Sequence, residues 1–359
     1  MHERRPGWLG AVALVLAACA GGPVATGTGT PSTVAPSVPP SASFAASPVA
    51  TPASTVGPPS SGRIAYIVDL PEGGEVHLLM FGADGGDRTL ALGGSPSWSP
   101  DGHRIAMTCP RAGDLPDLCI VDLTTDPVAR STILQGAIGV TWSPDGEWLA
   151  VVRSPIDVGD TWLVRPDGSG VHEIKLVGNE LNVTLWSPDS RRLAGVAALG
   201  GARAFVGVCD VEAGTCRSFG AGAAMTWSPD GDRVGFVGSW EGSVSVARIL
   251  DLSTGAAAVL IDPAVSVERI SWAPDGRIAV VRSDRSLVVL DGPGGVARPV
   301  AEGLLVTGQP AWSPDGVWLV VRADLNALHD LFAVRSDGSG WVRLTTTGTA
   351  TGPLWAPVR

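Results

Sequence analysis

The chain reads as an all-β protein, a seven-bladed β-propeller of four-stranded blades, and three observations predict it. A Trp-Ser/Ala-Pro motif recurs at Trp98, Trp142, Trp186, Trp227, Trp272, Trp312 and Trp355, at intervals of 40 to 45 residues. That period sits among propeller blades and is longer than the helical ankyrin and tetratricopeptide repeats. Between the motifs lie short, β-branched, almost continuously apolar runs, the pattern of strands covered on both faces. Finally, the ends are complementary, because residues 63–92 offer three strands with no motif strand before them and the chain closes on a motif strand with nothing after it.

Taken in order, the first three strands are RIAYIV, EVHLLMFG and DRTLAL, starting at Arg63. The C-terminal GPLWAPVR is expected to lie beside them as the missing fourth strand, closing the ring by strand exchange and removing open sheet edges. A six-bladed ring with one motif left over is the alternative. Each later blade opens on the motif, and the unit from Trp142 to Leu176 shows the common grammar. A strand ends at Trp142-Ser143; Pro144 cannot donate to a ladder, Asp145 favours the turn, and Gly146 supplies positive φ. The second strand, Trp148 to Arg153, leads through a loop to TWLVR, then a turn at residues 166–170, then VHEIKL. Ser190 replaces the motif Gly once, Ala273 replaces the motif Ser once, and the last copy lacks Asp-Gly. Each motif Trp is expected to fill the wedge between adjacent blades.

The N-terminus reads as an address. Arg4 and Arg5 precede an uncharged apolar run, Trp8 to Ala18, too short to span a bilayer and suited to a secretory signal. It ends in Leu16-Ala17-Ala18-Cys19, which resembles the lipobox of bacterial lipoproteins, with Cys19 as the lipidation site. From Ala20 to Gly62 no residue is charged, and Pro, Ser, Thr, Ala and Gly dominate. Such a stretch buries too little apolar surface to offset ordering entropy and is expected to be a disordered tether. The expected organisation is thus a signal peptide at 1–18, a lipidated tether at 19–62 and a propeller at 63–359. An extracytoplasmic protein held to the cell membrane follows.

Setting Cys19 aside leaves Cys109 with Cys119 and Cys209 with Cys216, each pair bracketing a short polar connection between apolar runs. In an oxidising compartment each pair can staple one hairpin. A formal charge of −10 argues against a nucleic-acid partner, since phosphate-backbone affinity comes from Lys and Arg. Lys175 is the single lysine, and the bias to arginine reads as base composition more than mechanism.

The repeated WSPDG, with DGSG turns at 167–170 and 337–340, resembles the TolB-like, WD-repeat-like propellers of bacterial envelopes, over about residues 63–359. The resemblance implies a scaffold and binding surface more firmly than any chemistry. The motif acids Asp101, Asp145, Asp189, Asp230, Asp275 and Asp315 share one turn context and read as turn residues, not as a metal ring. His77, His103, His172 and His329 fall in different repeats, so no four-His site is expected, and no G-x-S-x-G elbow is present. No cofactor and no catalytic constellation are called for. The repeats differ most in the loops opposite the motif turns: 111–117, 156–160, 239–242 and 323–326. Trp240 and Glu241, an aromatic beside an acid, form the candidate binding loop. The expected function is a monomeric, lipid-anchored module that binds an envelope protein or glycan. A propeller enzyme, such as a metal-assisted polysaccharide lyase or a quinone-cofactor dehydrogenase, is the alternative.

Overall fold

The computed structural model describes residues 56–357 except 72, 84, 113–114, 154–159, 175–179, 200–202, 240–244 and 326–327. Cys19, the expected signal peptide and all but the end of the expected tether lie outside that set.

Seven sheets form the ring. The first blade joins Ala350–Trp355 to Gly62–Leu70, Gly73–Phe81 and Gly86–Leu92. The C-terminal strand runs antiparallel to Gly62–Leu70, with Ile64 opposite Trp355 and Val68 opposite Ala350. Strand exchange therefore closes a seven-bladed ring, and the six-bladed alternative is excluded. In the other blades the motif strand comes first: Gly94–Trp98, Gly139–Trp142, Glu180–Trp186, Ala223–Trp227, Val267–Trp272 and, in the seventh, Leu305–Val306 with Ala311–Trp312. That last strand is broken near Pro310, which has no N–H to give a ladder. Each motif strand touches those of the blades before and after it, including the last with the first, so these strands ring the axis. Outermost strands such as Ala257–Val259 are exposed, whereas the middle strands Ile278–Arg282 and Leu287–Leu290 are almost wholly buried. The core is a series of interblade layers, as in the group of Val281, Leu287, Trp312, Leu319 and Phe332 between the sixth and seventh blades.

The motif Trp residues tie these layers together. Five indoles donate N–H to the carbonyl just ahead of the preceding blade's motif Trp: Trp98 to Leu354, Trp186 to Thr141, Trp227 to Leu185, Trp312 to Ser271 and Trp355 to Ala311, at 2.9 to 3.2 Å. Trp142 and Trp272 depart from this, donating to Gly146 and Gly276 of their own turns. In both, the backbone N–H of the Trp is taken by a hydroxyl of the preceding blade, Ser97 or Thr226. Arginine has a role here that composition does not announce. Arg63, Arg104, Arg192 and Arg277 each lie 4.9 to 5.5 Å over the motif Trp of the next blade. A planar guanidinium stacks on an aromatic face as an ammonium cannot.

The motif serine organises each turn. Ser143, fully buried, donates its hydroxyl to Asp145 at 2.6 Å and accepts the Trp148 N–H at 2.9 Å, while the Asp145 carboxylate accepts the Glu147 N–H. Ser99, Ser187, Ser228 and Ser313 repeat the arrangement. Where Ala273 stands instead, the turn is one residue shorter, and Arg277 clamps Asp275 through Nε, Nη2 and its backbone N–H. Gly146 sits at φ +80°, and a Cβ there would approach Pro100 of the preceding blade to 3.2 Å. Ser190, at the same place in its blade, adopts φ +61° and accepts the Asp145 N–H on its hydroxyl, which offsets the left-handed strain. Replacing Ser143 with Ala removes the acceptor of the half-buried Trp148 N–H and is expected to cost about 1–3 kcal/mol, read as a lower denaturant midpoint at unchanged m-value.

The cysteines pair as expected. Cys109–Cys119 joins the second and third strands of the second blade, and Cys209–Cys216 joins directly opposed residues of the third and fourth strands of the fourth.

Candidate functional site

The two faces of the ring are built differently. One carries the motif turns together with the third-to-fourth strand turns, and its acids are engaged locally. The Ser228 hydroxyl, then the Asp232 N–H, hold the Asp230 carboxyl below the usual carboxylate range. Ser169 does the same for Asp167, Ser253 and Thr254 for Asp251, and Ser339 for Asp337. At Asp101 and Asp189 partial burial acts to raise the pKa, but the hydroxyls of Ser99 and Ser187 and nearby N–H groups outweigh it. Because these folded-state values lie below the unfolded ones, the unfolded chain binds more protons in acid. The stability they contribute is complete above about pH 4, the unfolded Asp value, and is lost as pH falls through the folded values. Melting temperature measured against pH is expected to fall on that acid side; a melting temperature that rose on acidification would contradict it.

The opposite face bears the loops between second and third strands. Trp240 and Glu241 lie outside the described residues, as do parts of all four loops singled out from the sequence. Among the described residues, charge gathers on this face at the sixth and seventh blades. Asp324 is the penultimate residue of the second strand of the seventh blade, Trp318–Leu325, and pairs directly across the hairpin with His329. Its Oδ1 meets the Nδ1 of His329, and its Oδ2 accepts from Arg285 Nη1 at 2.9 Å. Arg285 comes from the hairpin of the sixth blade and is held at φ +65°, a conformation unusual for a branched-free but bulky side chain. Its carbonyl accepts the Val306 N–H, so that hairpin is fixed to the first strand of the seventh blade. Asp324 thus holds an imidazole whose side chain is 44% exposed and orients it through Nδ1. The arrangement can donate or accept a hydrogen bond at a ligand's polar group.

The remaining histidines are apart from this group. His103 lies in a motif turn and gives its N–H to Asp101, and His172 packs edge-on against Trp148. His77 stands in the outer half of the first blade between Glu75 and Asp87, against Tyr66. Burial and the hydrogen bond to Asp87 raise the Tyr66 pKa and keep its hydroxyl protonated. No group of three or more His, Cys, Asp and Glu with metal-binding geometry occurs among the described residues. Sequence reasoning missed the Asp324–His329–Arg285 group because Arg285 joins from another blade. The spacing of Asp324 and His329, five positions apart around the variable 323–326 loop, was the available signal.

No protein-family model matches the chain. Among curated proteins it is similar to the Tol-Pal system protein TolB of Anaeromyxobacter dehalogenans (strain 2CP-C), 33% identical over 109 residues, which is 28% of this chain and 24% of that protein. The chain thus matches about a quarter of the length of these curated relatives. Among solved structures, TolB from Acinetobacter baumannii superposes with a TM-score of 0.54 at 21% identity, covering 84% of this chain and 68% of that one. The β-propeller domain of the Trilobed protease from Pyrococcus furiosus gives 0.61 at 17% identity, covering 80% and 96%. Puromycin hydrolase gives 0.64 at 17% identity, covering 84% and 55%. At these identities the likeness is one of fold. The Pyrococcus domain is described as having an open velcro topology, whereas this ring is closed by Ala350–Trp355.

Proposed function

We propose that the chain is a lipid-anchored, extracytoplasmic propeller that binds an envelope protein or glycan on the face away from the motif turns. The observation that carries this reading is the contrast between faces. The motif-face acids are tied into their own turns, while the opposite face sets Arg285, Asp324 and His329 at the end of hairpins that differ from blade to blade. Functional residues on propellers concentrate in such loops, with the ring as a rigid mount. Two disulfides agree with an oxidising compartment. The similarity to TolB proteins favours an envelope setting and a binding role over chemistry by the chain itself.

The test is fractionation and capture in cells. The wild-type protein is expected in the membrane fraction, and Cys19→Ser is expected to release it. If the substituted protein stays with the membrane, the anchor is wrong. Crosslinking in the same cells should then capture one predominant envelope component, and its absence would contradict the binding role.

A further inference from the structure

The outermost strand of every blade has one edge that no neighbouring strand covers. A charged residue or a proline stands in Gly86–Leu92, Ala129–Leu134, His172–Ile174, Thr215–Ala221, Arg298–Pro299 and Trp341–Arg343. Both are devices that keep an open edge from pairing with another strand. Among the described outermost strands, Ala257–Val259 of the fifth blade alone has neither, and all three of its residues are exposed.

The ladder fixes which main-chain groups this edge offers. Leu260 gives its N–H to the Ala247 carbonyl, Asp251 gives its own to the Ala256 carbonyl, and Ile249 stands opposite Ala258. Residues 256, 258 and 260 therefore bond inward, and the alternation of an antiparallel pair turns the N–H and C=O groups of Ala257 and Val259 outward. In the sixth blade Val300 bonds to Leu287 as Leu260 does to Ala247, so Pro299 takes the place of Val259 and offers no outward N–H.

A groove of about 410 Å³ runs beside the open edge, lined by Ile249, Ala258, Leu260 and, from a sixth-blade turn, Pro293 and Gly294. Ile249 and Leu260 belong to the apolar layer between the fifth and sixth blades, so the floor of the groove is continuous with the core. The charges at its rim, Arg233 and Asp251, are opposite in sign and directly opposed across a strand pair. The site is neutral as a whole and matches an uncharged segment. Area decides against a second copy of the chain, because two such edges would pair three residues with three, well below the roughly 1,200 Å² of a specific interface. A peptide strand needs only the ladder and a pocket for alternate side chains. We infer that Ala257–Val259 is a strand-addition site for an extended, uncharged peptide segment, which pairs antiparallel with Ala257 and Val259 and places an apolar side chain in the groove. This surface is separate from the hairpin face, so the inference stands or falls independently of the binding proposed there.

The experiment titrates the full chain against a fluorescein-labelled, end-blocked peptide, Ser-Val-Thr-Leu-Thr-Val-Ser, followed by anisotropy. Its valines and leucine suit the groove, and its threonines would stand opposite Ala257 and Val259. Saturable binding is expected, weakened about tenfold or more when both threonines are N-methylated. Val259→Pro removes an outward N–H and no bond of the ladder, and Ala258→Glu puts a charge at the groove. Each should weaken binding about tenfold or more while melting close to the wild type. Hydrogen exchange at the Ala257 and Val259 amides should slow when the peptide binds. Absence of binding, equal binding of the N-methylated peptide, or undiminished binding to Val259→Pro would overturn the inference. So would a concentration-dependent dimer that Val259→Pro abolishes, which would assign the edge to a second copy.

Discussion

Truncation after Thr349 is expected to abolish cooperative folding of the ring. It removes Ala350–Trp355, the strand that pairs with Gly62–Leu70 to complete the first blade. It also removes the Leu354 carbonyl that accepts the Trp98 indole and the Trp355 indole that reaches Ala311, so both neighbouring blades lose their tie at once. Ala350 is fully buried, and Gly62–Leu70 would be left as a nine-residue edge whose centre is apolar. An unprotected edge of that kind templates pairing with other chains. The loss is comparable with the whole stability of a folded domain, about 5–15 kcal/mol. Circular dichroism melts combined with light scattering would show a broad transition and aggregation. A truncated chain that melted in one sharp step near the wild-type temperature would refute strand exchange as the closure.

Asp330→Ala is expected to be the most damaging single substitution, because this carboxylate fixes the segment that leads into the closing strand. Asp330 is 1% exposed and accepts from Arg343, from the Thr345 hydroxyl at 3.0 Å and from the Gly348 N–H at 3.0 Å. The Thr345 hydroxyl in turn accepts the Leu331 N–H at 3.0 Å. Removing the acid leaves the Arg343 guanidinium without its counter-ion and the Thr345 hydroxyl and Gly348 amide without their acceptor, which is expected to cost about 3–5 kcal/mol. For a ring of this size that lowers the melting temperature by roughly 10 °C. Asp330→Asn keeps an acceptor and should cost less. If Asp330→Ala melted with the wild type, the turn ahead of Ala350 would have to be held by something other than this carboxylate.

Much of the architecture was legible in the sequence, because it depends on covalent spacing. The Trp period set the blade count, the complementary ends gave the closure, and short separations put Cys109 with Cys119 and Cys209 with Cys216. Ser190 in place of Gly announced a strained turn, though not that its hydroxyl would accept an N–H from the preceding blade. What stayed hidden depends on side chains brought together from different blades by register and twist. The stacking of Arg104 on Trp142 joins residues 104 and 142, and the Arg285–Asp324 pair joins two hairpins 39 residues apart. Sequence pattern also could not foresee that Trp142 and Trp272 turn their indoles inward to their own turns, since Thr141 and Ser271, of the same type as Thr226 and Ser97, precede blades that keep the common arrangement. The Tyr66–His77–Asp87 group arises from alternate positions on three adjacent strands, a relation fixed only by pairing.

The central claim, that the partner is held on the face opposite the motif turns, is tested most directly by placing a photo-crosslinking residue on each face in turn. Asp284, in the sixth-blade hairpin beside Arg285, probes the binding face, and Asp167, in a third-to-fourth strand turn, probes the motif face. Both are surface turn residues, so the substitutions should leave the fold intact. The expected result is capture of the envelope partner from position 284 and none from position 167. Capture from position 167 alone, or equally from both, would contradict the assignment.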